Sequence, residues 1–133
     1  MYLGNEEIKI AASAIIYESC VWKFFIEGLN KVCDEIYLKI DMDKSTEHFL
    51  EMLKLYPKIK RIEKFNNFKY IVYKEITLRM LDNIQPDIAV LLDHDEVFED
   101  GILEDIYKFW KSDKKGMMFY YNPCISRDGH KLP

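Results

Sequence analysis

Glycine and proline are scarce in this chain, five and four residues among 133. The glycines are scattered and no GxxxxGKS/T stretch occurs, so the phosphate-cradling loop of the P-loop enzymes is excluded. Cysteine is also sparse. Cys20, Cys33 and Cys124 are odd in number and lack CxxC spacing, which gives neither a disulfide framework nor a zinc site. Cys20 and Cys33 fall on apolar positions and read as small core residues, a usage that fits a reducing cytoplasm. No apolar stretch approaches the ~20 residues that span a bilayer, so no transmembrane segment is expected. The opening "MYLGNEEIKIAA" lacks the basic start and apolar run of a signal peptide. Basic charge is not in excess: the formal balance is −4, which gives no reason to expect a nucleic-acid partner. Repeats and low-complexity segments are missing too.

What is present is material for a core. Hydrophobic residues make up 49% and aromatics 14% of the chain, enough for one domain over residues 1–133 that buries roughly two thirds of its unfolded surface. Charge is unevenly spread. Lys54 to Lys74 is basic and reads as a solvated edge, whereas Asp93 to Asp105 is strongly acidic.

Short apolar runs alternate with helical spacing. "IKIAASAII", residues 8–16, reads as a first strand, followed by Val21, Trp22, Phe25, Ile26, Leu29 and Val32 at helix spacing. "EIYLKID", 35–41, alternates as a second strand. Ser45 is expected to cap a helix carrying Phe49, Met52, Leu53 and Tyr56, which Pro57 stops. A short third strand is expected at 59–62, then a helix marked by Phe68, Ile71, Val72, Ile76 and Met80 that ends before Pro86. The apolar run 88–92 reads as a strand covered on both faces. Ile102, Leu103, Ile106, Phe109 and Trp110 mark a fourth helix, and 116–121 a fifth strand. "SRDGHKLP" is a turn-rich tail expected to be poorly ordered, from about residue 125 to 133. This alternation predicts an α/β fold, a mostly parallel sheet with flanking helices.

In such sheets ligands bind beyond the carboxyl ends of the strands, where the strand order reverses. Two strand ends carry paired aspartates, "IDMDKST" and "LLDHDE". Residues i and i+2 of an extended chain project to one side, so Asp41 could act with Asp43, and Asp93 with Asp95. A cluster of carboxylates beside a buried strand is costly unless water or a cation compensates it. Magnesium or manganese takes one or two carboxylates together with phosphate and water, which suits Asp93 and Asp95 as a tether for a metal-bound diphosphate. His94 alternates away from the pair and is expected to pack or hydrogen-bond beneath it. His48 and His130 read as solvated, and Trp22 and Trp110 as core.

"CDEIYLKIDMDKSTE" and "PDIAVLLDHDEVFEDG" resemble the two aspartate segments of family 2 glycosyltransferases with the GT-A fold, and "FIEGLN" sits where that family's first helix ends. The likeness spans most of residues 8–122. It implies a nucleotide-diphosphate sugar donor, a Mn2+ or Mg2+ cofactor and an acceptor of unknown kind. It further implies that Tyr17 and Glu18 lie in the loop that cups base and ribose, and that Asp41 hydrogen-bonds the base with Asp43 in the same turn. By the same likeness Asp95 binds the metal directly, Asp93 holds the ribose or a metal-bound water, and Glu96 is structural. Lys44 stands where the family often has glycine. The family's frequent Arg-Asn pair is replaced only approximately by Lys69, Lys74 and Arg79. An inverting member takes its catalytic base from an acceptor-binding half beyond the D-x-D segment, so no base is identifiable here and that half is expected to be missing. Two other classes stay open from the residues themselves: another nucleotide-handling enzyme such as a nucleotidyltransferase, and a non-catalytic α/β binding module.

Overall fold

A computed structural model describes residues 1–67, 77, 79–94, 96 and 98–112. Its centre is a four-stranded parallel sheet built from β3 (Ile10–Ile16), β4 (Glu35–Asp41), β5 (Ile59–Phe65) and β6 (Ile88–Leu91), in the order β5-β4-β3-β6. Before it stands a hairpin, β1 (Tyr2–Leu3) against β2 (Glu6–Glu7). Three α-helices are described: α1 (Trp22–Val32), α2 (Glu47–Leu53) and α3 (Ile102–Lys111). None is long and apolar enough to cross a membrane.

β3 is the central strand because it can be buried on both sides: all seven residues are buried. Ile10, Ala12, Ala14 and Ile16 face the main core with Ile36, Leu38 and Ile40 of β4. Against them pack Phe25, Ile26, Leu29 and Val32 of α1, Phe49, Leu50 and Leu53 of α2, and Ile102 and Ile106 of α3. The spacing of these helix residues is the 3–4 repeat of one amphipathic face. Each fully buried Leu, Ile or Phe contributes roughly 1.5–3 kcal/mol, so this face holds the sheet together. Small residues serve the opposite face of β3. Ala11 packs with Tyr37 and Leu81, and the buried Ser13 hydroxyl donates to the Thr77 carbonyl. Further out, that face of β4 and β5 carries ion pairs, Lys39 with Glu63 at 3.6 Å and Arg61 with Glu63 at 2.6 Å.

Several expectations shift. The β1–β2 hairpin was not legible as strands, because two-residue strands have no measurable period; Gly4 turns it at a positive φ of 61°. The third strand runs to Phe65, three residues further than predicted, since pairing with β4 continues to Asp41. Its exposed Lys60, Arg61 and Lys64 are the solvated edge expected of the basic run. The cap of α2 is Thr46, whose hydroxyl accepts from the Phe49 amide at 3.2 Å; the Ser45 hydroxyl is taken by another partner. That helix ends at Leu53, before Tyr56 and Pro57. β6 stops at Leu91, and only Val90 of its four residues is buried, so its apolar run does not mean burial on both faces. Cys20 is exposed rather than core, while Cys33 is buried. Trp110 is 38% exposed, held by its indole N–H on Glu6 at 2.9 Å. Of the expected third helix, Thr77 and Arg79 are helical; residues 68–76 and 78, the strand at 116–121 and the tail lie outside the described residues.

Candidate functional site

The strand order reverses at β3. The chain moves from β3 to β4 and on to β5, then returns to lay β6 along the other side of β3. This is the switch point of an open parallel sheet, where the loops leaving neighbouring strands diverge and open a crevice. The register pairs Ile16 with Ile40, so Tyr17 and Asp41 each follow directly on this pair. Asp93 lies two residues past Leu91, the partner of Ser13. β4 and β6 flank β3, which puts their ends about 10 Å apart at ordinary strand spacing. That separation matches the reach of a nucleotide diphosphate.

Asp41 is 4% exposed. Its Oδ1 accepts from the Asp43 amide at 3.1 Å, and among the described residues no cation pairs with it. The chain does not stay extended after Asp41 but tightens into a 3-10 turn, Met42–Lys44. The extended i, i+2 geometry expected of Asp41 and Asp43 therefore does not apply. Its Oδ2 instead accepts from the Asn67 amide at 2.7 Å, tying the turn to the end of β5. Asn67 takes a left-handed backbone, φ 55°, to reach it.

Tyr17 sits between the two loops. The Lys44 ammonium lies 5.1 Å from its ring centroid, within cation–π range, and the His94 ring is 4.5 Å away at a 56° tilt. His94 thus packs, as its alternation implied, but on Tyr17. Its Nδ1 is buried and has no hydrogen-bond partner among the described residues. Glu18 turns its carboxylate to Thr46, accepting from the amide at 2.9 Å and from the hydroxyl at 2.6 Å. In return the Glu18 amide donates to the Ser45 hydroxyl at 3.1 Å.

The turn after β6 is closed by Glu96, whose amide donates to the Asp93 carbonyl at 3.1 Å and whose carboxylate accepts from the Asp93 amide at 2.7 Å. This is the structural part expected of Glu96. Asp93 is exposed, and its carboxylate makes no hydrogen bond or ion pair among the described residues. Asp95, the expected direct metal ligand, lies outside them. Among the described residues no three His, Cys, Asp or Glu side chains form a group that could hold a metal. A metal arriving with a diphosphate needs only one or two carboxylates, and Asp93 offers one.

A cleft of about 1150 Å³ lies between α1 and the start of α3, lined by Cys20, Trp22, Lys23, Phe24, Phe98 and Asp100 among others; among the described site residues it reaches Glu18 and not Tyr17, Asp41, Asp43 or Asp93. Of the described aspartates, Asp41 ends β4 and is buried, and Asp93 follows β6 and is exposed. Sequence reasoning missed Lys44, Ser45 and Thr46 as parts of the site. Lys44 stood out only as a departure from glycine and Ser45 only as the expected helix cap, and Thr46 was not singled out.

No protein-family model matches the chain, and no curated protein is a significant match.

Proposed function

We propose that this chain is the donor-binding part of a nucleotide-sugar-dependent glycosyltransferase of the GT-A type, similar to family 2 enzymes, acting with Mn2+ or Mg2+ in the cytoplasm. Asp41 carries the reading. A carboxylate 4% exposed, with one hydrogen bond from its own turn and no described cation beside it, is costly to a fold that gains nothing from it. A base N–H arriving from a ligand would complete it. Tyr17, one strand over, supplies an aromatic face for the same base, and Glu18 belongs to the same loop. Asp43 holds the turn that carries Asp41. Asp93, with Asp95, would hold the metal and the diphosphate from the other flank of β3. Once bound, the metal supplies a Lewis acid that neutralises charge on the departing diphosphate. The acceptor and the catalytic base are not assigned to residues of this chain.

Nuclear magnetic resonance saturation transfer separates this from a nucleotidyltransferase. With manganese replaced by diamagnetic magnesium, UDP- and GDP-sugars should receive saturation at base, ribose and sugar protons. Nucleoside triphosphates binding more tightly, with no transfer to any sugar, would favour the nucleotidyltransferase instead. No transfer to either class of ligand would favour a non-catalytic module.

A further inference from the structure

We infer that Glu18 is a positioning residue: its carboxylate latches the loop after β3 to the start of α2 and so fixes where Tyr17 stands relative to Asp41. The inference deepens the donor-site reading and rests on it only for the ligand it names. Three hydrogen bonds carry it, and all of them cross 27 or 28 residues of sequence. The Glu18 carboxylate receives the Thr46 amide and hydroxyl, and the Glu18 amide gives its hydrogen to Ser45. The 2.6 Å separation of the Thr46 hydroxyl from the carboxylate is that of a charge-assisted bond.

The position of the latch matters. Tyr17 directly precedes Glu18, and the turn holding Asp41 and Asp43 runs into Ser45. Besides the latch, the sheet beneath them and Lys44 over the Tyr17 ring join the two loops. Thr46 also caps α2 through the Phe49 amide, so the latch anchors on a helix whose Phe49, Leu50 and Leu53 are buried in the core. One Glu18 oxygen, Oε1, already accepts two hydrogens. In this proposal the residue acts on a ligand through the loop that it holds.

Four variants test this: Glu18→Gln, which keeps an acceptor for Thr46; Glu18→Ala; Thr46→Val, which keeps shape and loses the hydroxyl; and Glu18→Ala with Thr46→Val. Without ligand, Glu18→Ala should raise amide hydrogen exchange at Thr46 roughly tenfold, as loss of a hydrogen bond to a charged group implies, and shift the Tyr17 ring resonances. Glu18→Gln should stay close to wild type. Unchanged exchange and ring signals in Glu18→Ala would overturn the latch. UDP, GDP, CDP and ADP are then titrated with manganese, and the tightest is carried through the set. Glu18→Ala should weaken it by about tenfold and Thr46→Val by less, because the Thr46 amide still reaches the carboxylate, and the double variant should be no worse than Glu18→Ala, which already removes both bonds. Losses that multiply would mean that Glu18 touches the nucleotide itself, which overturns the positioning role. If no nucleotide binds the wild type, the donor-site reading fails, and the ligand-free exchange alone decides the latch.

Discussion

Asp41 and Cys33 are both buried, one at each end of β4's neighbourhood, and their chemistry differs. Burial, with the Asp34 carboxylate adding to it and Lys58 opposing, pushes the Cys33 thiol up to about 12 from 9.0. The native state then keeps a proton that the unfolded chain gives up above pH 9. Stability is fully present below pH 9 and is lost as pH rises toward 12, a contribution on the order of a few kcal/mol. Cys33→Ala should therefore flatten the decline between pH 9 and 11 in urea unfolding, after a loss of about 1 kcal/mol at pH 7 from the smaller side chain. Parallel declines in both proteins would contradict this. Asp41 should behave in the opposite sense at neutral pH. Asp41→Asn keeps the acceptor for the Asp43 amide and removes a buried carboxylate that no cation pairs with among the described residues, so thermal stability should hold or rise by about 1 kcal/mol. Nucleotide affinity should fall about ten- to a hundredfold, with metal or without. A stability loss with unchanged affinity would make Asp41 a structural residue.

Elements differ in how much of themselves the sequence displays. α1 and β4 were legible because Phe25, Ile26, Leu29 and Val32, or Ile36, Leu38 and Ile40, repeat at the period of the face that each turns to the main core. β5 was under-read because an edge strand with charge on both faces shows no alternation. The choice of Thr46 over Ser45 as cap could not be read at all. Both are good capping residues, and the decision is made by Glu18, 28 residues earlier in the chain. The same holds at the site: Asp41 and Asp93 were visible as strand-end acids, but the Tyr17 ring against His94 and Lys44 is made only by strand order. Thr46→Ala should cost about 1–2 kcal/mol, at the upper end for a cap, because the hydroxyl serves Phe49 and Glu18 together. Thr46→Ser should restore most of it. Chemical denaturation of both variants checks the point, and a loss below about 0.3 kcal/mol for Thr46→Ala would mean that the cap is replaced by water.

At the scale of the whole molecule, the parallel order β5-β4-β3-β6 brings together strand ends that are about fifty residues apart in sequence. Asp41 flanks β3 on one side and Asp93 on the other, and the proposed joining of these distant aspartates around one crevice is the central claim. It assigns separable work to the two flanks. In the proposed reading Asp41 would serve the nucleotide, and Asp93 with Asp95 the metal and the diphosphate. Asp95→Asn keeps the size of the side chain and weakens a charged ligand, so it should act only when metal is present. Isothermal titration of a nucleoside diphosphate into the wild type and Asp95→Asn, with manganese and with chelator, tests this most directly. The account predicts tighter binding with manganese in the wild type, about ten- to a hundredfold of which is lost in Asp95→Asn, and equal weak binding of both proteins in chelator. Equal affinity with and without manganese, unchanged by Asp95→Asn, would contradict it and leave the acidic strand end as a solvated turn.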